Sequence, residues 1–311
     1  MTLFLSEDDV QDVLAPADAV EAVEASFRRM GAGVVELAPR RRLELREGRL
    51  ADMAASDLEL GYAGVKAYAA SGDGAAFVVA LFAVDQPELV AVIEADHLGR
   101  LRTGAASAVA AKYLAREGAT SLGLIGCGTQ AETQVACIRA AVPTVERVVA
   151  YCRTERNLRA FCKRVGAEPA ESNREAAEQD IVVTITTSRD PVLRGEWLRP
   201  GSLVCAAGAN NRASRELDNV VLERATFVCC DWKEQARLES ADLIEPIQQG
   251  VLDWLEVHEL HEVVSGQLPG RQSPDDITLF KSNGIASWDV AVAAAAVQRA
   301  RERGVGTELS A

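Results

Sequence analysis

The stretch Leu122-Gly123-Leu124-Ile125-Gly126-Cys127-Gly128-Thr129-Gln130-Ala131 begins as an apolar run and ends at the start of a helical pattern. Its spacing is Gly-x-Gly-x-x-Ala, in which Gly126 makes a tight turn and Gly128 lets a pyrophosphate approach the backbone. Ala131 allows close packing of the helix, whose N-terminus attracts phosphate. A plain strand-to-helix turn is the alternative. Because a second strand follows at suitable spacing, we predict a dinucleotide site formed by Gly126, Gly128, Thr129, Gln130 and Ala131.

Strand and helix patterns alternate along the chain on the C-terminal side of this stretch. Helical patterns start near Gln130 and Glu155. Apolar, strand-like runs occur at 121–125, 147–151, 180–185, 202–206 and 226–230. Such alternation predicts an α/β fold with a doubly wound, Rossmann-type domain built on a parallel sheet.

The N-terminal part of the chain has a different pattern. A helix is expected over 16–30, and the β-type runs that follow lie at 42–45, 62–68, 76–82 and 89–93. These runs indicate a largely antiparallel sheet. A turn carrying Arg100 and Arg102 should lead into a helix at 103–114, and an Ala-rich helix over 285–302 should return to cover the sheet. We therefore predict an α+β domain formed by residues 1–116 and 286–311, and a dinucleotide domain over 117–285.

Composition and charge exclude several classes of protein. The formal net charge is −13, and no basic stripe with interleaved aromatic residues offsets it, so nucleic acid is not an expected partner. Acidic residues at positions 7–9 closely follow Met1–Leu5, and no run could span a bilayer, so we expect a cytoplasmic protein without a membrane partner. Seven scattered cysteines indicate reduced, buried thiols. No metal is expected, because His258 and His261 are assigned to one solvated helix and His97 stands alone.

The end of the second strand of the dinucleotide domain bears on the choice of cofactor. A carboxylate at this point would bind the ribose hydroxyls of NAD, but the strand ends in Tyr151-Cys152-Arg153-Thr154. Arg153 and Thr154 could instead hold the 2′-phosphate of NADP through charge-assisted hydrogen bonds. The alternative is that Arg153 is a solvated residue at a helix start. NADP(H) is thus the favoured cofactor, with NAD(H) possible.

Several segments, read in order, resemble the ornithine cyclodeaminase/mu-crystallin family over nearly the whole chain. They are Pro39-Arg40-Arg41-Arg42, Gly64-Val65-Lys66, Leu101-Arg102-Thr103-Gly104-Ala105-Ala106-Ser107, the stretch at Gly126, Gly195-Glu196-Trp197-Leu198-Arg199-Pro200-Gly201, Arg215-Glu216-Leu217-Asp218 and Phe280-Lys281-Ser282-Asn283-Gly284-Ile285-Ala286. The resemblance implies that the N-terminal segment and the C-terminal helix form a substrate and dimerisation domain. It also implies a homodimer built through the first domain's sheet.

The resemblance further implies which residues form the site. Arg41, Lys66 and Arg102 would hold a substrate carboxylate, although three consecutive arginines leave the register open by one residue. A guanidinium grips a carboxylate with two hydrogen bonds and a lysine adds a point charge, so the cluster suits an organic acid. Surface ion pairing is the alternative for each cation. Met53 and Tyr68 are expected to line the pocket for the substrate side chain. Asp289 is either a neighbour of the site or an ordinary first-turn residue of its helix. The positions expected at the cofactor are Thr103, Thr186, Ala207, Asn283 and Gly284.

One departure from the family pattern narrows the reaction. The cyclodeaminases of the family have an aspartate where this chain has Asn210, and an amide cannot act as a base. Asn210 could position a substrate amine or the nicotinamide, or could simply form a loop. Lys66 is a candidate general acid. We expect NAD(P)H-dependent reduction of a small imino or keto acid of the ketimine, pyrroline-2-carboxylate or iminosuccinate type. The alternatives are an ornithine cyclodeaminase and a protein that binds dinucleotide and a small ligand without turnover.

Overall fold

The computed structural model describes residues 1–72 and 74–309. It divides into two compact units, Met1–Arg102 with Ile285–Ala311, and Thr103–Gly284. The sequence-based division assigns 103–116 to the first domain instead. One continuous helix crosses the boundary between Arg102 and Thr103, so the chain has no break there that would mark a domain limit. The domain limits drawn from the sequence stay a prediction. In the part of the chain that the structure describes, no helix is both long and apolar enough to cross a membrane.

The strands and helices are numbered in chain order. The strands are β1 (Thr2–Leu5), β2 (Val35–Glu44), β3 (Arg49–Asp57), β4 (Tyr62–Ser71), β5 (Gly74–Ala83), β6 (Leu89–Glu94), β7 (Ser121–Ile125), β8 (Arg147–Tyr151), β9 (Glu168–Pro169), β10 (Ile181–Thr184), β11 (Leu203–Ala206), β12 (Phe227–Cys230), β13 (Val257–Glu259), β14 (Thr278–Lys281) and β15 (Thr307–Leu309). The helices are α1 (Glu7–Val13), α2 (Pro16–Gly31), α3 (Asp96–Leu114), α4 (Ala131–Ala141), α5 (Glu155–Val165), α6 (Asn173–Ala177), α7 (Asn219–Arg224), α8 (Lys233–Glu239), α9 (Ala241–Gln248), α10 (Leu260–Val264) and α11 (Ala286–Arg303).

The first unit is an α+β structure. Its sheet has the order β15-β1-β6-β5-β4-β3-β2 and is antiparallel except for the β1/β6 pair. As expected, the Ala-rich helix α11 packs against this sheet and against α2. A Cβ atom at Gly64 on β4 would lie 2.9 Å from the Val290 side chain, so the strand and helix approach closely. Alternation along β4 buries Lys66 on the helix-covered face and exposes Val65 on the other.

The second unit has the predicted doubly wound, Rossmann-type fold. Its sheet has the order β13-β12-β14-β11-β10-β7-β8-β9, and the strand pairs are parallel. Strands β10, β11, β12 and β14 are buried along their whole length, as expected for a parallel sheet covered on both faces. The strand order reverses beside β7, and in such sheets ligands bind at the carboxyl ends of the strands near this point.

Two local predictions were wrong. Helix α3 begins at Asp96 rather than 103, so Arg100 and Arg102 lie inside a helix and not in a turn. The Glu7 carboxylate accepts hydrogen bonds from the backbone amides of Asp96 and His97, at 2.5 and 2.9 Å, and this distant residue caps the helix start.

The second error concerns the histidine pair. His258 lies on β13 and stacks on Phe227 at a ring-centre distance of 5.0 Å, whereas His261 lies on α10. The His261 ring Nε2 is 2.7 Å from Glu259 Oε2. The proposed single helix fails because residues 257–259 form a strand at the edge of the parallel sheet.

Candidate functional site

The first unit buries a group of cations around one carboxylate. Lys66, only 3% exposed, places its Nζ 2.7 Å from Asp289 Oδ1. The Nε of Arg102 lies 3.1 Å from the same oxygen, and Arg40 is also buried. We call Arg40, Lys66, Arg102 and Asp289 the cation cluster. Lys66 and Arg102 share the single Asp289 carboxylate, so this pair of buried cations is not fully neutralised by it, and binding of an anion would stabilise them.

The protonation of Lys66 reflects this environment. Burial lowers the pKa of Lys66 from its usual range to about 8, and the positive charges of Arg102 and Arg40 act in the same direction. The Asp289 carboxylate opposes them by stabilising the ammonium form. A lysine with a pKa near neutrality can donate a proton under physiological conditions and still attract an anion.

The structure brings Arg40, not Arg41, to the cation cluster. The Arg41 side chain is 81% exposed and pairs with Asp52, at 2.8 Å between Nη2 and Oδ1. Arg40 lies on the opposite face of β2, where its Nη2 is 3.6 Å from the sulfur of buried Met53. The register of β2 shifts between Ala38 and Arg41. This irregularity decides which of the consecutive arginines points inward. Arg41, which was expected to hold the substrate carboxylate, therefore lies outside the cation cluster, and Arg40 lies within it.

Aromatic rings border the cation cluster. The Lys66 Nζ lies 5.6 Å from the centre of the Phe77 ring, on which Tyr68 stacks at 5.3 Å. The Arg102 guanidinium lies 6.0 Å from the ring centre of Trp288. The electron-rich face of an aromatic ring attracts a cation placed over it. The cluster therefore combines positive charge with apolar walls, which suits a small organic acid.

In the second unit, the glycine turn has the geometry that its fingerprint predicts. Gly126 adopts φ +112°, and a Cβ atom there would lie 2.4 Å from the Ile185 carbonyl oxygen, so only glycine fits. A Cβ at Gly128 would meet nothing within 4 Å, which leaves open space above the turn. Ala131 is buried as the first residue of α4, with Thr129 and Gln130 just before it.

A cavity of about 340 Å³ adjoins this turn. Of the predicted cofactor residues it brings together Gly126, Gly128, Arg153, Thr154 and Thr186. The described residues that line it include no aspartate or glutamate, and the Arg153 and Thr154 side chains are exposed. The open turn and the arginine fit the pyrophosphate and adenosine parts of a dinucleotide, and the cavity continues from them to Thr186 at the carboxyl end of β10.

The other predicted cofactor residues lie outside that cavity's lining. Ala207 and Asn210 follow β11, and Asn283 and Gly284 follow β14. Because Thr186 follows β10 and these three strands are neighbours, the residues share the carboxyl edge of the sheet. Thr103 is buried within α3.

Sequence reasoning missed a group of buried charged residues beneath this edge. They are Glu216, Asp231, Asp242 and Lys281. Glu216 and Lys281 do occur in the segments that carry the family resemblance, and a lysine at the end of the apolar run 278–281 was a usable signal. Asp231 and Asp242 have no comparable pattern around them.

Several known proteins resemble this chain in sequence and in fold. The family model described as ornithine cyclodeaminase/mu-crystallin family matches residues 1–304. Alanine dehydrogenase of Archaeoglobus fulgidus is 36% identical, with 99% of this chain and 98% of the relative aligned. The Delta(1)-pyrroline-2-carboxylate reductase of Thermococcus litoralis, solved with NADH and L-proline, has a TM-score of 0.94 at 32% identity and covers 99% of this chain and 100% of that chain.

A further solved structure is the iminosuccinate reductase of Paracoccus denitrificans in complex with NAD+. Its TM-score is 0.93 at 29% identity, covering 100% of this chain and 99% of that chain. The similarity extends over both units of the fold and over every segment quoted from the sequence. The chain belongs to the ornithine cyclodeaminase/mu-crystallin family.

Proposed function

We propose that this protein is an NAD(P)H-dependent oxidoreductase that reduces a small α-imino or cyclic imino acid to the L-amino acid. The observation that carries the proposal is the pair of buried cations, Lys66 and Arg102, that share one carboxylate, because such a pair suits the carboxylate of a substrate. The glycine turn supplies a dinucleotide site in the other unit. Relatives named as imino acid reductases and an alanine dehydrogenase support this reaction class.

The residues of the chain have separate roles in this proposal. Arg40 and Arg102 hold the substrate carboxylate, and Lys66 adds charge and donates a proton to the imine nitrogen. When bound, the reduced nicotinamide supplies the hydride that the imine carbon accepts. One hydride and one proton convert the C=N bond to an amine, so the reaction balances. A substrate that arrives as an iminium ion needs no proton from Lys66, and Asn210 would orient the amine rather than act as a base.

The test is a cofactor assay on purified protein. It uses NADPH and NADH with preformed cyclic imines, iminosuccinate, and keto acids mixed with ammonia or amines. We expect oxidation of the cofactor and formation of the matching amino acid with at least one substrate. Ammonia release from ornithine without net cofactor oxidation would instead identify a cyclodeaminase. Cofactor binding without oxidation across the panel would identify a binding protein.

We propose further that the cofactor is preferentially NADP(H), with NAD(H) as a weaker substitute. Arg153→Ala should raise the KM for NADPH by about tenfold to 100-fold, because a charge-assisted hydrogen bond to the 2′-phosphate contributes about 1.5–3 kcal/mol. The KM for NADH should change less than about twofold, since the ribose hydroxyl gains little from a cation. Arg156→Ala, an exposed neighbour outside the cavity lining, is the control. Equal effects on both cofactors would contradict the assignment.

We also propose that the protein is a homodimer formed through the first unit's sheet. The face of this sheet opposite α11 carries Val65, Val78 and Phe82, which are 39%, 38% and 38% exposed. An exposed apolar sheet face of this kind is typical of an interface. Val78→Asp should convert the dimer to a monomer in analytical ultracentrifugation, whereas Leu255→Asp, an exposed leucine of the second unit, should not. A monomeric wild-type protein at micromolar concentration would rule the dimer out.

A further inference from the structure

Four fully buried ionisable side chains lie beneath the carboxyl edge of the parallel sheet. They are Glu216, Asp231, Asp242 and Lys281, each 0% exposed. We call them the loop-anchoring network. Burial of charged groups is costly, and apolar residues of similar size can often replace them at no loss of stability. Their hydrogen bonds converge on the loops after β10, β11 and β14, which carry the predicted cofactor residues Thr186, Ala207, Asn283 and Gly284.

Glu216 connects the loops after β10 and β11. Its carboxylate accepts hydrogen bonds from the Thr186 amide at 2.7 Å and the Thr186 hydroxyl at 2.8 Å. It also accepts from the amides of Gly208 and Ala209, at 2.7 and 3.1 Å, and from the Thr184 hydroxyl at 3.0 Å. The two loops are therefore fixed to one carboxylate. Gly208 is needed here, because a Cβ atom at that position would lie 2.3 Å from the Thr186 nitrogen.

Lys281 and Asp242 extend this connection to β14. The Lys281 ammonium donates to the Ala209 carbonyl at 2.6 Å and pairs with Asp242 Oδ2 at 3.1 Å. Asp242 Oδ1 in turn accepts from the backbone amides of Glu216 and Leu217, at 2.8 and 2.9 Å. The end of β14 is thus tied both to the loop after β11 and to the segment that carries Glu216.

Asp231 holds the loop that follows β14. Its Oδ2 accepts from the amides of Asn283 and Gly284, at 2.7 and 2.6 Å. Burial raises the pKa of Asp231 to about 6, while these amides and Lys281 favour the ionised form. Burial likewise raises the pKa of Glu216, opposed by the charge of Lys281. Despite the cost of burying the two carboxyl groups, both accept hydrogen bonds from backbone amides of these loops.

We propose that the loop-anchoring network, with Glu216 as its central residue, positions the nicotinamide half of the dinucleotide by fixing the three loops at the carboxyl ends of β10, β11 and β14. Glu216 is a positioning residue and does not touch the reacting atoms. A site held in its working geometry before the ligand arrives loses less entropy on binding and reacts faster. The inference rests on the proposed function only in assuming that a nicotinamide dinucleotide binds.

The test separates the two halves of the cofactor. Calorimetry would give the Kd of NADPH and NADH, and the Kd of ADP-ribose and its 2′-phosphate, which lack nicotinamide. Glu216→Gln replaces one accepting oxygen by a donor that faces other donors. We expect it to weaken binding of the whole dinucleotide by at least about tenfold. The Kd of ADP-ribose should rise by at most about threefold, because Thr186 is the one partner of the Glu216 carboxylate named above that lines the cavity beside the glycine turn.

The matched control is Asp180→Asn. Asp180 lies at the opposite end of β10, where its carboxylate accepts from the amides of Thr120 and Ser121 and from Arg116. This variant should lose stability without changing the ratio of the two dissociation constants. Thr184→Val removes the one hydrogen bond that the Thr184 hydroxyl donates to Glu216, and it should produce a smaller effect of the same kind. This variant keeps the test available if Glu216→Gln fails to fold.

Three results would overturn the positioning role of the loop-anchoring network. An equal loss of affinity for the dinucleotide and for ADP-ribose, or an unchanged ratio in both Glu216→Gln and Thr184→Val, would overturn it. A changed ratio in Asp180→Asn would overturn it as well, because the effect would then be a general response to lost stability. If the wild-type protein binds dinucleotide but reduces no imino acid, the substrate assignment fails and the positioning role is still tested by the ratio.

Discussion

Lys66→Met is expected to fold, to bind the dinucleotide normally and to lose about 10³-fold in kcat/KM for imino acid reduction. General acid catalysis contributes about 10²- to 10⁴-fold, and the variant also removes one charge from the carboxylate site. Folding should survive because Asp289 keeps Arg102 as its partner, 3.1 Å away. Methionine also fills a volume similar to that of the lysine stem. Steady-state kinetics and cofactor calorimetry on the same preparations would measure both effects.

The pH dependence of the wild-type protein follows from the same side chain. In the proposed reaction Lys66 must be protonated to donate a proton and to attract the carboxylate, and burial lowers its pKa in the free protein to about 8. The protonated fraction falls as pH rises through this value, so kcat/KM for reduction should fall above about pH 8. Bound carboxylate favours the ammonium form, so the corresponding limb of kcat should lie at higher pH.

Lys66→Arg provides the control for this assignment. Arginine keeps the positive charge but does not titrate in the accessible range, so the limb near pH 8 should disappear while substrate binding is partly restored. If Lys66→Met retained kcat/KM within about tenfold of wild type, Lys66 would have no catalytic role. A limb that persisted near pH 8 in Lys66→Arg would assign the titration to another group.

The features that the sequence predicted well are those set by local chemistry. The turn at Gly126 and Gly128 could be predicted because a positive φ and an open approach each require glycine at one position. The parallel strands could be predicted because strands buried on both faces are apolar throughout. The ordered segments of the whole chain then identified the family. The structure brings together Lys66 and Arg102, which the resemblance had singled out, at Asp289.

The features that the sequence could not predict depend on contacts between distant residues. The start of α3 is capped by Glu7, which lies 89 residues away from Asp96. The inward arginine of β2 depends on a register shift against β3, which alternation alone does not reveal. Asp289 looked like an ordinary first-turn residue of a helix, yet folding buries it between Lys66 and Arg102. Tertiary contacts thus decided which charged residues form the cation cluster.

Gly128→Val should weaken dinucleotide binding by at least about 100-fold while leaving the free energy of unfolding within about 0.5 kcal/mol of wild type. The two effects separate because a Cβ atom at Gly128 meets no protein atom within 4 Å, so the fold has room for the side chain. The same side chain would fill the space through which the pyrophosphate approaches the turn. Calorimetry with NADPH and chemical denaturation would measure the two quantities.

Gly126→Ala is the matched comparison, because the opposite result is expected two residues earlier in the same turn. At φ +112°, and with its Cβ 2.4 Å from the Ile185 carbonyl oxygen, an alanine there strains the backbone and should cost about 1–3 kcal/mol of stability or more. Tight NADPH binding by Gly128→Val would show that this turn does not receive the pyrophosphate. Loss of stability in Gly128→Val would show that the space above the turn is filled by the protein itself. The expected contrast between the two glycines therefore tests the dinucleotide site independently of any substrate.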